Sequence, residues 1–262
     1  MVNKPTSPLG TWRALRDQLG SLRGVYGASN RIVRRDDFAN FDETVLLLHG
    51  FFQTRNVWEV MEDRLRFDGF GVFSFDLGGL LGLNTHRPQD LAERVADKLE
   101  RLCMRTGLRS FHIVGHSKGG LIAREYVQHL GGARRVKSVV TLGTPHHGTP
   151  TALVGVAIFG GGLLPSSPLE MLPGSGFLKR LRTDTFPPNI PMSSIYSKSD
   201  VVCPWWCSVL RPRPGESSMK NLTVKGVGHT ALTFDPGVYH IVRHELELAS
   251  QLWQEREHGS GP

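Results

Sequence analysis

Three cysteines in 262 residues exclude a disulfide-rich scaffold, and none of them has the paired Cys-x-x-Cys spacing of a structural zinc site. Cys103 falls in a helical pattern and reads as a buried small hydrophobe. Cys203 and Cys207 flank Pro204, Trp205 and Trp206, and either close a tiny loop or stay as thiols. No stretch is long and apolar enough for a membrane-spanning helix; the window from Ala152 to Leu164 is short and rich in glycine. Lys4 is followed by Pro5, Ser7 and Pro8 rather than by an apolar run, so no secretory signal is recognised. A soluble, cytoplasmic or otherwise intracellular protein is expected, with export left open. Long charged runs are also missing. Basic residues come in pairs such as Arg34–Arg35 and Arg134–Arg135, without interleaved aromatics, and no nucleic-acid-binding motif is present. The net charge of +7 does permit contact with an anionic membrane surface.

The remaining composition is that of a globular chain: 39% hydrophobic, 21% charged, with 30 glycines and 16 prolines for tight turns. From about Glu43, short apolar runs alternate with amphipathic stretches, the pattern of βαβ units and a parallel sheet. Strands are expected at 44–48, 71–75, 111–114, 136–142, 192–197 and 221–224. Helices are expected at 56–67, at 90–105, after residue 117 and at 237–254. In the first helix Asn56 is a candidate N-cap, with Val57, Val60, Met61 and Leu65 inward. The second carries the clearest apolar stripe, Leu91, Val95, Leu99 and Leu102. The alternation breaks over 151–190, a segment rich in apolar residues, glycine and proline. The expected organisation is an N-terminal helical extension (1–40), a core in two parts (41–150 and 191–254), a cap or lid insert (151–190) and a flexible tail (255–262).

Gly115-His116-Ser117-Lys118-Gly119 joins an expected strand to an expected helix. A Gly-x-Ser-x-Gly run is a weak signal alone in a glycine-rich chain, so its context decides. A sharp turn there lifts the Ser117 hydroxyl above the sheet, and the helix N-terminus favours developing negative charge. A serine hydroxyl needs an adjacent base. His229, after the last expected strand in Gly226-Val227-Gly228-His229, falls at the same sheet edge. The base needs an orienting carboxylate. Asp200, just past the strand ending near Ser197, gives the chain order serine, acid, histidine; Asp76, at an earlier strand end, is the rival. Backbone N–H groups of Phe51 and Lys118 are placed to receive an oxyanion, a role that does not require the lysine side chain.

The loop His49-Gly50-Phe51, the run Gly115 to Gly120, the segment Gly143-Thr144-Pro145-His146-His147-Gly148-Thr149, Asp200 and Gly228-His229-Thr230 together resemble a bacterial lipase/esterase of the α/β-hydrolase superfamily. The resemblance covers about residues 43 to 254. It implies an α/β-hydrolase fold, with a mostly parallel central sheet, helices on both faces and an apolar cap. It also implies ester hydrolysis through an acyl-enzyme, with no cofactor and an acyl-ester or lipid substrate. A single-glycine oxyanion loop is, by the same resemblance, typical of enzymes for medium or long acyl chains. Lys118 departs from the pattern, since many relatives carry Met or Gln there. Phe52, Leu153, Val154, Phe159 and Leu163 are the candidates for the acyl-binding wall, under either a mobile lid or a static cap. His146 and His147 read as braces for the nucleophile loop or the lid hinge rather than as metal ligands. A thioesterase or acyltransferase with the same triad, and a non-catalytic scaffold on this fold, are the other readings of these residues.

Overall fold

A computed structural model describes residues 37–78, 84–152, 167–216 and 218–259. The elements, in chain order, are β1 (Thr44–Leu48), α1 (Glu59–Phe67), β2 (Gly71–Ser74), α2 (Pro88–Thr106), β3 (Phe111–His116), α3 (Lys118–His129), β4 (Val136–Leu142), α4 (Ser167–Glu170), α5 (Gly176–Thr183), β5 (Met192–Ser197), α6 (Trp205–Ser208), β6 (Met219–Val224) and α7 (Pro236–Gly259), joined by 3-10 turns. The six strands form one sheet in the order β2-β1-β3-β4-β5-β6, and every neighbouring pair is parallel.

Successive residues of a strand point to opposite faces, so a strand buried on both sides is apolar throughout. β1 follows this rule. Leu46 and Leu48 join α2 and α3 through Leu91, Val95, Leu99, Ile122 and Tyr126. Val45 and Leu47 join α1 and α7 through Trp58, Met61, Leu65, Val238 and Val242. Each such side chain contributes about 1.5–3 kcal/mol through its burial. The two apolar layers hold the sheet flat between helix pairs and fix which loops emerge at its C-terminal edge.

The expected elements are present with shifted ends. Asn56 does not cap α1: it lies inside a 3-10 turn, Arg55–Trp58, and is buried there. Val60 is 40% exposed rather than inward, because that turn rotates the start of α1. β3 runs on to His116, β6 starts at Met219, and α7 continues through most of the expected tail, to Gly259. Of the N-terminal extension, residues 37–40 form a 3-10 turn and the rest lies outside the described residues.

At the crossing of β1 and α3, a Cβ built on Gly119 would fall on the Leu48 carbonyl oxygen, backbone that cannot withdraw without breaking the β1 ladder. Gly119→Ala is therefore expected to lower stability by about 3 kcal/mol or more. A urea unfolding midpoint equal to the wild type would refute this packing.

Candidate active site

β3 passes into α3 through one residue, Ser117, at φ 53 and ψ −123. A non-glycine residue with such a φ is strained and persists only where its surroundings hold it. Here the Ser117 N–H donates to the Leu142 carbonyl at 2.8 Å, and the Gly120 N–H donates back to the Ser117 carbonyl at 3.1 Å. The loop after β1 lies against this turn. A Cβ on Gly50 would stand 2.8 Å from the Ser117 Cβ, so only glycine lets the 49–53 loop come this close to the serine. Phe51 is thereby brought beside Ser117, and Lys118 opens α3 directly after it.

His229 and Asp200, 29 residues apart in the chain, meet on loops after β6 and β5. The His229 Nδ1–H donates to Asp200 Oδ2 at 2.7 Å, and both residues are 5% exposed. The other carboxylate oxygen accepts the N–H groups of Val202 and Cys203 at 2.9 and 2.8 Å. Those bonds fix the carboxylate, which fixes the imidazole with its proton on Nδ1 and leaves Nε2 as a base. Among the described residues no hydrogen bond joins Ser117 to the His229 ring; such contacts are often long before substrate binds. The two are linked through His116, whose ring lies 4.6 Å from that of His229 and whose Nε2–H donates to the His229 carbonyl at 3.0 Å. The Gln53 amide sits between His116 Nδ1 (3.0 Å) and the Gly50 N–H (2.9 Å). Burial, then the neighbouring His229, pushes His116 well below the ordinary imidazole range. Burial likewise brings His49 down to about 4.

Asp76, the rival carboxylate, is not the one that meets His229. It lies on the far flank of the sheet, lining a cavity of about 550 Å³ with Phe38, Phe73 and Lys98, and its carboxylate accepts the Gly78 N–H at 2.9 Å.

The side chain of Lys118 was not an expected part of the site. It is wholly buried, and its Nζ donates to the carbonyls of Asn84 and His86 at 2.8 Å each and to Ser167 Oγ at 3.1 Å. The same ammonium stands 5.2 Å from the centre of the Phe51 ring. The sequence signal available was a lysine set between Ser117 and the glycine pair Gly119-Gly120.

Of the candidate acyl-wall residues, Phe52 borders the 49–53 loop in a left-handed conformation, φ 57, and its ring lies 5.7 Å from that of Phe51. Leu153, Val154, Phe159 and Leu163 lie outside the described residues. What the described part of the insert does provide is a small apolar cluster. Met171, Phe177, Leu178 and Leu181 gather on Leu121 of α3, with Phe51 and Leu172 at its margin. α5 is pinned to α3: Arg124 and Gln128 donate to the Leu181 carbonyl at 2.6 and 3.2 Å, and Arg180 pairs with Glu125 at 2.6 Å. Residues 176–183 are thus held against α3 by these bonds. His146 contacts Thr141 Oγ1 at 3.2 Å, and His147 Nε2–H donates to the Val209 carbonyl at 2.9 Å, so both brace the loop after β4. No group of side chains suited to a metal ion occurs among the described residues. Cys103, Cys203 and Cys207 are all buried free thiols.

Residues 43–161 match the family model described as the alpha/beta hydrolase fold. A triacylglycerol lipase of Burkholderia plantarii is 30% identical over 139 residues, a match spanning 51% of this chain and 38% of the relative. One of Pseudarthrobacter phenanthrenivorans is 29% identical over 123 residues, 45% of this chain and 37% of the relative. The mature form of a Bacillus licheniformis lipase superposes with a TM-score of 0.63 at 19% identity, covering 78% of this chain and 91% of that one. The chain thus aligns with well under half the length of those two curated relatives. Sheet order, the left-handed serine turn and these likenesses agree: the chain has the α/β-hydrolase fold and is similar to bacterial lipases and esterases.

Proposed function

We propose that the protein is a serine carboxylic-ester hydrolase that works through an acyl-enzyme. The observation that carries this reading is the 2.7 Å bond between His229 and Asp200 at the sheet edge where Ser117 is held in its strained turn. In the proposed cycle, His229 Nε2 takes the proton from Ser117 Oγ as that oxygen attacks the ester carbonyl. The backbone N–H groups of Phe51 and Lys118 receive the oxyanion, and His229 then gives its proton to the leaving alkoxide. Water, activated by the same histidine, attacks the acyl-enzyme and frees the acid. Asp200 stays ionised and stabilises the imidazolium. The apolar cluster of Met171, Leu172 and Phe177 beside Phe51 supports medium or long acyl chains as the preferred acyl group. The net charge of +7, with Trp205 and Trp206 exposed on the loop after Asp200, supports contact with an anionic lipid surface. Transfer of the acyl group to an acceptor other than water, or its removal from a thioester, uses the same groups and is the second reading.

Hydrolysis of p-nitrophenyl esters from acetate to palmitate, with Ser117→Ala as the blank, tests the reading. Turnover that disappears in the variant and peaks at the longer chains is expected; absence of any serine-dependent turnover would overturn it. Asp200→Asn should keep the fold and lower kcat by about 10⁴-fold, since the imidazole loses its fixed tautomer. The same loss from Asp76→Asn would reassign the acid. A further expectation concerns pH. Burial keeps His49 and His116 neutral into acid, so neither should add a limb to the pH–rate profile above pH 5. A two-proton slope there would show that a second histidine takes part.

A further inference from the structure

Lys118 is a fully buried residue with a basic side chain. Its Nζ meets three oxygens, the carbonyls of Asn84 and His86 and the hydroxyl of Ser167. The three oxygens belong to segments far apart in the chain, the turn before α2 and the return of the insert into α4.

The turn at Asn84 is in its own right bound to the loop that carries Phe51. The Phe52 N–H donates to the Asn84 carbonyl at 3.3 Å, and the Asn84 N–H donates to the Gln53 carbonyl at 3.2 Å. Its side-chain amide donates to the His49 carbonyl at 3.0 Å. The Phe51 ring lies under the ammonium at 5.2 Å. From α3, then, one side chain reaches over the nucleophile turn and holds, through Asn84 and Phe51, the loop that faces Ser117 from the other side.

We infer that Lys118 is a positioning residue for the oxyanion hole, its ammonium clamping the 49–53 loop, the 84–86 turn and the start of α4 around Ser117. This rests on the ester-hydrolase reading above and assigns a dependence within that same site. The backbone N–H of Lys118 touches the reacting oxygen; the side chain acts through Phe51 and Asn84. Burial pulls this ammonium well below the ordinary lysine range, opposed by Glu170 of α4. His86 of the turn and His49 of the oxyanion loop are both pushed downward in part by its charge.

The test is the rate at which a fluorophosphonate labels Ser117 in the full chain, read beside kcat and KM on the best p-nitrophenyl ester. The phosphonyl oxygen occupies the same hole, so labelling reports on it whatever the natural substrate. Lys118→Met and Lys118→Gln should lower the labelling rate and kcat by about ten- to hundredfold while KM changes less than about threefold. Labelling of either variant at the wild-type rate would overturn the inference. If neither variant folds, Ser167→Ala, which removes one of the three partners of Nζ, decides: a labelling rate equal to the wild type overturns it. A wild type that labels but hydrolyses no ester sinks the ester-hydrolase reading alone, and the labelling rates still judge Lys118.

Discussion

Everything about this site follows from one backbone conformation, Ser117 at φ 53 between β3 and α3. A residue with a Cβ in that region costs about 1–3 kcal/mol, and the surrounding structure must hold it there. The holding is done by two bonds, Ser117 N–H to Leu142 and Gly120 N–H to Ser117, and by the exact seating of α3 against β1 at Gly119. Strain of this kind stays in place only in a rigid frame. The double apolar layer around the parallel sheet supplies that frame, and the loops carrying Phe51, Asp200 and His229 gain their positions from it.

Around the turn lies an unusually polar interior. His49, His116, Lys118 and Asp200 are all nearly or wholly buried. In a medium of low dielectric an unmatched polar group is costly, but a matched one is held firmly, so such a network is either complete or disruptive. Gln53 and Asn84 supply much of the matching: one amide serves Gly50 and His116, and the other ties the turn before α2 to His49. Two side-chain amides thus set the spacing between an apolar sheet and the polar groups above it.

The alternation of strand and helix was legible in the sequence because both are local periodicities. The serine turn was legible because its chemistry is concentrated in five consecutive residues. The meeting of Asp200 with His229 was legible from their places after strands, while the position of Asp76 on the far flank follows from the sheet order. The boundaries at Asn56 and Val60 failed because a 3-10 turn, favoured by the packing of Trp58 rather than by local propensity, rotates the start of α1. Lys118 failed for a different reason. A lysine read alone belongs to the surface, and its three partners come from residues 84, 86 and 167, a meeting that no local pattern announces. The anchoring of α5 was hidden in the same way, since Arg124 and Glu125 bind it across more than fifty residues.

The distance along the chain between the groups of the site has a consequence for its birth. His116 and the carbonyl it holds at His229 are 113 residues apart, and β5 and β6, which deliver Asp200 and His229, join the sheet at one flank. Parallel strands pair only after long loops have closed, which makes them slow to assemble. During synthesis, Ser117 emerges and can turn onto its helix well before His229 exists. A nascent or half-assembled chain therefore exposes the serine without the histidine, and the two come to one sheet edge only when the last strand has docked.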